Sequence, residues 1–351
     1  MHEKMNQEST NCSALKSKDS LGIALIGAGI VANLHAKAVV KCSNASLAGV
    51  YDLDPARSGS LVSQYGGRNY KTIDELLGDP AVKAVHILTP IQTHVNLAIT
   101  CLEAGRDVLV EKPVAKTGDE LRALLNTSVK TGRFCVPGHN YIYSPQIMRM
   151  KRLLTEVAFG RLNSFWMMYN QYHSDAKIRS VGGVLQEVFV HHAYSLLYLL
   201  GRPDLVYATV GSIRQELNGC PDRVMIVANM PNGTIVNLWA SFAADDKSAD
   251  PWTVYYKLMG EKGVCCHSWS DALFEDNSGP GYGLINYVES FSGEVDHFVN
   301  RCIRQGEAPL SSLVDAIDCL SILDACKTSL QTGRSERVIW PKVSVDVKNK
   351  T

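Results

Sequence analysis

Two short stretches carry side chains able to move a proton at a carbon–oxygen bond. In Glu111-Lys112-Pro113 an ammonium stands between an acid and an imino acid. Lysine, with a reference pKa of about 10.4, stays charged and donates to a substrate oxygen, where it stabilises growing negative charge. Pro113 restrains the turn, and a cis peptide after Lys112 is open to this dipeptide. A surface lysine at a turn is the plain alternative. The second stretch is Gly182-Gly183-Val184-Leu185-Gln186-Glu187-Val188-Phe189-Val190-His191-His192. A helix starting near Leu185 puts Glu187 and His191 on one face, so the carboxylate can orient the imidazole and raise its basicity. His191 then takes the proton from a hydroxyl while hydride leaves the same carbon. The alternative is a helix whose polar residues satisfy one another in the core. Glu187, His191 and His192 are not expected to hold a metal, because His192 is turned about 100° from His191 and the set converges poorly.

A departing hydride needs an acceptor, and the N-terminal residues supply a pocket for one. The apolar run Gly22 to Ile26 suits a buried strand, and Gly27-Ala28-Gly29-Ile30-Val31-Ala32 follows at once. Gly27 permits a tight turn, Gly29 lets the backbone approach a pyrophosphate, and Ala32 lets a helix pack closely on the strand. The N–H groups opening that helix, from Ile30 and Val31 onward, face the phosphates. A second strand, Leu47 to Tyr51, delivers Asp52, whose carboxylate can accept from both ribose hydroxyls and would repel a 2′-phosphate. NAD is therefore expected over NADP, with Leu53 next in the chain and Arg57 as the nearby cation.

A β/α rhythm continues to Val136, with strand ends at Thr89-Pro90 and Glu111-Lys112-Pro113 and helix signals at Pro55, Thr72 and Thr117. Such alternation predicts a parallel, doubly wound sheet that binds its ligand beyond the strand carboxyl ends. Thr89, Pro90, His94, Glu111 and Lys112 join the cofactor-binding set on that ground. His94 has a helix-capping role as its alternative. From Pro145 the pattern changes to runs of strands, at 162–170, 205–213, 222–230, 233–242 and 252–259, with a helix over 185–200 and another from 313 to 330. An open, mostly antiparallel sheet in a second, α+β domain follows. The expected division is a disordered tail at 1–20, a Rossmann domain at 21–137, and a substrate and oligomerisation domain at 138–351. Asn140, after the last Rossmann strand, and Tyr169 and Gln171, in a polar and aromatic strand end, are candidate substrate contacts beside Lys112, Glu187, His191 and His192.

Composition narrows the partners. Lysine plus arginine and aspartate plus glutamate number 35 each in 351 residues, so no basic field exists to attract nucleic acid or an anionic membrane. The first twenty residues lack the apolar core of a secretory signal, and no run approaches the ~20 apolar residues of a membrane span. Ten cysteines at irregular spacing fit neither a zinc ribbon nor a disulfide framework, and point to buried thiols and a cytoplasmic setting.

In these motifs the chain resembles the Gfo/Idh/MocA oxidoreductases. The likeness runs from about Leu21 to Ile339 through Gly27-Ala28-Gly29, Thr89-Pro90 with His94, Gly105 to Pro113, Gly138-His139-Asn140, Gly182-Gly183 to His191, and the helix end from Ala325 to Gly333. It implies NAD(P)-linked oxidation or reduction of a secondary alcohol or ketone in a sugar, cyclitol or glycoside. Lys112 and His191 are then the catalytic pair, and the open sheet forms a dimer or tetramer contact. Three departures bear on substrate. Glu187 stands where aspartate is usual, Tyr194 where many members carry a substrate-binding aspartate, and Ile142 where arginine is common, which leaves room for a bulkier or less polar partner. Two other functions remain open: a redox-neutral enzyme that retains NAD while cleaving or isomerising a glycoside, and a dinucleotide-sensing regulator without chemistry. Lys112, Glu187 and His191 argue against the second, since a sensor needs none of them.

Overall fold

The computed structural model describes residues 20–157, 159–214, 217, 219–243, 253–269 and 285–342. The expected tail, apart from Ser20, and the expected strand start at 252 lie outside them. The first part alternates β1 (Leu21–Ile26), α1 (Ile30–Lys41), β2 (Ala45–Tyr51), α2 (Pro55–Tyr65), β3 (Arg68–Asn69), α3 (Ile73–Gly78), β4 (Ala84–Ile87), α4 (Ile91–Glu103), β5 (Asp107–Glu111), α5 (Gly118–Thr131) and β6 (Cys135–Gly138). The strands pair in parallel in the order β3-β2-β1-β4-β5-β6. Ile23 to Ile26, Val85, Ile87 and Val108 to Val110 are fully buried, as a sheet covered by helices on both faces requires. Local chemistry sets the helix starts. Asp54 accepts from Ala56 N–H at 3.0 Å, Thr72 from Glu75 N–H at 3.0 Å, and Thr117 forms a reciprocal capping box with Glu120. The strand order reverses between β1 and β4, which opens a crevice at their carboxyl ends.

After a 3₁₀ turn at Asn140–Tyr143, the second part runs α6 (Pro145–Leu153), β7 (Leu162–Asn170), α7 (Asp175–Val181), α8 (Val184–Glu187), α9 (Phe189–Leu200), β8 (Leu205–Gly211), β9 (Arg223–Asn229), β10 (Ile235–Ser241), β11 (Thr253–Gly260) and β12 (Val264–Ser268). It closes with α10 (Ile285–Asp296), which continues as a π-helix at His297–Ile303, then α11 (Leu313–Thr332) and β13 (Glu336–Arg337). Among the described residues the second sheet has seven strands, ordered β12-β11-β7-β10-β9-β8-β13. Its pairings are antiparallel except β7 with β10. One face buries Phe165, Met167, Ile226, Val236, Leu238, Val254 and Leu258. On the other, Trp166, Tyr207, Ile235 and Val264 are exposed, and this is the face that the resemblance assigns to subunit contact.

The chain returns to its first sheet at the end. Leu313, Ala316 and Ile317 of α11 share a core with Val85, Val108 and Leu124, while α10 packs on α1 and on the 3₁₀ turn. Gly293 makes the last approach possible, because a Cβ there would collide with the Tyr143 carbonyl. Two long helices of the second part therefore hold the crevice of the first against the 3₁₀ turn. Several features differ from the sequence reading, among them that the helix expected over 185–200 is interrupted at Val188, that α4 starts at Ile91 ahead of His94, and that α7 fills a stretch to which no element was assigned.

Candidate active site

At the β1 turn Gly27 has φ 102°, and a Cβ there would lie 2.8 Å from the Leu88 carbonyl oxygen, so only glycine fits without strain. Gly29 has open space where its Cβ would stand, and no side chain caps α1, which leaves the opening N–H groups of the helix to face the groove. Asp52 ties the wall to the turn. Its Oδ2 accepts from Ala28 N–H at 2.6 Å and its Oδ1 from Asp54 N–H at 2.8 Å. An open groove lies here, lined by Gly27, Gly29, Asp52, Leu53, Thr89 and Pro90. Leu53, which lines the groove, and Ile30, which opens α1, are strongly exposed apolar side chains. An uncapped helix start, a glycine with room above it and a strand-end carboxylate fit a dinucleotide.

A cavity beside it reaches from Val31 to Tyr169 of the second sheet. Lys112, Asn140, Tyr169, Glu187 and His191 all line it. Lys112 leaves the end of β5 ahead of a cis peptide to Pro113. Its Nζ lies 3.6 Å from Glu187 Oε1, an ion pair looser than a hydrogen bond. The expected pairing of Glu187 with His191 is not what forms. With the helix interrupted at Val188, the carboxylate turns to Lys112, and His191 Nδ1 instead meets the Tyr194 hydroxyl at 2.6 Å. Tyr194 also accepts from Tyr141 N–H at 3.3 Å, and the Tyr141 ring stacks on His191 with centroids 4.1 Å apart. The imidazole is thus fixed from its edge and its face, and Nε2 has no hydrogen-bond partner among the described residues. Burial, then the charges of Lys112, His192 and His139, holds His191 well below the usual imidazole range, so it is neutral at pH 7.

The other candidates fall into two groups. Asn140 donates to Ser290 Oγ at 2.9 Å and Tyr169 donates to Gln171 Oε1 at 2.5 Å, which places both rim residues in side-chain networks. By contrast, His94 and His192 are spent on backbone. His94 bridges the carbonyls of Pro113 at 3.0 Å and Thr89 at 2.6 Å, and so joins the ends of β4 and β5. His192 points its Nε2 at the Trp239 carbonyl, 2.9 Å away, and is not among the lining residues of this cavity. Glu111 lines the cavity with its oxygens already committed, one to His35 Nε2 at 3.1 Å and one to Lys112 N–H at 2.9 Å. Tyr194, Tyr287 and Phe291 were not among the sequence candidates. Tyr194 had a signal, since three residues after His191 is the same helix face. Tyr287 and Phe291 had none, because α10 reaches the site only through tertiary packing.

Behind Glu111 lies Glu294 of α10, fully buried, with neither carboxylate oxygen partnered among the described residues. Burial first, and then the Glu111 charge, push its pKa well above the carboxylic range. A folded-state value raised in this way means that the native protein holds a proton the unfolded chain releases. Stability from this group is complete below the ordinary carboxylic pKa and is lost as pH rises through the raised value. Glu294→Gln keeps the shape and removes the titration. Its Tm is expected to gain on the wild type as pH is raised from 5 to 9, and a difference independent of pH would show that Glu294 does not titrate there.

A parallel sheet with a dinucleotide groove and Lys112 at its β5 end, joined to a second part whose helix α9 brings His191 into the same cavity, defines a two-part nicotinamide oxidoreductase. Residues 21–139 match the family model GFO_IDH_MocA, described as an oxidoreductase family with an NAD-binding Rossmann fold, and residues 147–265 match the GFO/IDH/MocA C-terminal domain. The chain belongs to this family and is an NAD-linked oxidoreductase acting on CH–OH groups. It is 24% identical over 315 residues to 4-carboxy-2-hydroxymuconate-6-semialdehyde dehydrogenase of a Sphingobium species, covering 88% of this chain and 98% of that protein. It is 24% identical over 325 residues to inositol 2-dehydrogenase of Rhizobium meliloti, covering 88% and 97%. In fold it is similar to levoglucosan dehydrogenase solved with NADH and levoglucosan, with a TM-score of 0.79 at 22% identity over 92% of this chain and 100% of that one. Among the described residues no helix is long and apolar enough to cross a membrane, and no cluster of His, Cys, Asp and Glu could hold a metal ion. Nine cysteines described are free thiols, six of them buried.

Proposed function

We propose that the chain interconverts a secondary alcohol and a ketone on a sugar-like polyol, with Lys112 and His191 acting on the reacting oxygen. The observation that carries this reading is their convergence, with Glu187, on a cavity that adjoins the glycine turn. Bound NAD supplies the hydride acceptor. Lys112 donates a hydrogen bond to the substrate oxygen and stabilises its developing charge, while neutral His191 accepts the hydroxyl proton at Nε2. Tyr194 holds Nδ1, and Glu187 holds the ammonium over the oxygen. Asn140 and Tyr169 offer polar contacts to further hydroxyls. The relatives named as inositol 2-dehydrogenase and levoglucosan dehydrogenase support a cyclitol or sugar scaffold. Purified protein incubated with NAD and a panel of cyclitols and sugars tests it: NADH should accumulate with at least one of them, and absorbance that stays flat across the panel would reject the reading.

The cofactor assignment within this proposal rests on Asp52. Arg57, the cation a 2′-phosphate could recruit, is paired with Asp54 at 3.4 Å, and Asp52 sets a negative charge where that phosphate would stand. NADH should bind more tightly than NADPH. Asp52→Ala should narrow the ratio of their Kd values about tenfold by removing the repulsion, at some cost to NADH through its lost ribose contact. A wild type that prefers NADPH, or a ratio unmoved by the substitution, would remove Asp52 from the role.

A further inference from the structure

We propose that Lys177 makes the substrate cavity select polyols that carry an anionic group, a carboxylate or a phosphate ester, away from the carbon that reacts. This inference rests on the proposed function and deepens it. The charges around the cavity are nearly all committed. Glu111 is held by His35 and by the Lys112 backbone, and Glu187 is paired with the Lys112 ammonium. Burial keeps His191 and His139 neutral at pH 7, the latter with its pKa pushed down to about 3. Arg214, the neighbouring cation, is spent on Asp175 at 2.8 Å and on the carbonyls of His173 and Phe242. Lys177 lines the cavity, yet no carboxylate among the described residues lies within ion-pair distance of its ammonium.

Its position is built rather than incidental. Ser174 caps α7 through Lys177 N–H, Ile178 beside it is fully buried, and Arg214 clamps the chain at the His173 carbonyl and at Asp175, the first residue of the helix. The cation therefore projects from an anchored turn of the second part, while Lys112 and His191 hold the reacting oxygen from other elements. Tyr141, Tyr169, Tyr287 and Phe291 make much of the remaining wall. Lys177 is itself exposed, so it meets a ligand at the mouth of the cavity, where solvent screens the pair and its worth is modest. A substrate anion would supply the counterpart that Lys177 lacks among the described residues at this wall.

Steady-state kinetics of the full-length protein with NAD on glucose, glucuronate and a glucose phosphate ester test the idea, with wild type, Lys177→Gln and Lys177→Arg compared. The wild type should favour an anionic member over glucose. Lys177→Gln should lower kcat/KM for that member about three- to fivefold relative to glucose, chiefly through KM, and Lys177→Arg should recover much of the loss. The uronate and ester arms tell which anion the site takes. Equal losses on charged and neutral sugars, a wild-type preference for glucose, or a weakened Kd for NADH in Lys177→Gln would each overturn the inference, the last by assigning Lys177 to the dinucleotide phosphates. Oxidation of glucose without any Lys177 dependence on its anionic counterparts removes this inference and spares the proposed function. A wild type that oxidises none of the three, while NADH does form on the wider panel of neutral cyclitols and sugars, overturns the anion preference alone.

Discussion

Alanine at Lys112 or at His191 is expected to lower kcat by about 10²- to 10⁴-fold while the Kd for NADH stays near its wild-type value. Both side chains face the substrate cavity, and neither lines the groove at the glycine turn, so the loss falls on the chemical step. The Lys112 change carries a second, directional signature. After burial, the Lys112 charge is the largest influence holding His191 below the imidazole range. Oxidation needs His191 neutral, so its rate falls as pH drops through the His191 pKa. With the ammonium gone, that acidic limb should move to higher pH in the residual activity of Lys112→Ala. Near-normal kcat in either variant would withdraw the assigned role, and an unmoved acidic limb would show that the two groups are not coupled.

How far this was legible in the sequence depends on the range over which each signal acts. The glycine turn, Asp52 and the parallel order were readable because the signals are local: a buried strand, a turn only glycine tolerates, and an acid at the next strand end. The helix starts at Pro55, Thr72 and Thr117 belong to the same class. Antiparallel character in the second sheet followed from strands in succession, but the parallel β7–β10 pair did not, since it joins distant segments. Edge strands β3 and β13, two residues each, are too short to leave a periodic pattern. At the site, helical spacing put Glu187 and His191 on one helix face and paired them, whereas both line one cavity without pairing. Spacing says which residues share a face of an unbroken helix, and it is silent on the interruption at Val188 and on Lys112 arriving from β5 with a stronger claim on the carboxylate.

That re-pairing separates the roles of Glu187 and Tyr194. Tyr194→Phe is expected to cost about 10- to 100-fold in kcat, the usual penalty for losing the group that orients a working imidazole. The hydroxyl suits His191 in both directions of reaction, because oxygen can accept from Nδ1–H or donate to bare Nδ1, and it brings no charge into a buried site. Its loss also strands the Tyr141 N–H, which predicts a destabilisation of about 1–3 kcal/mol in urea unfolding. Glu187→Gln should act differently. The influences on His191 are burial, Lys112, His192 and His139, with no contribution from Glu187, so the acidic limb should stay where it is while activity falls through a misplaced Lys112. Glu187→Asp keeps the charge, shortens the reach, and should retain part of the rate. A Glu187→Gln profile whose acidic limb shifts by a full unit, beside a Tyr194→Phe enzyme of near-normal kcat, would return the carboxylate to His191 and make the tyrosine a packing residue.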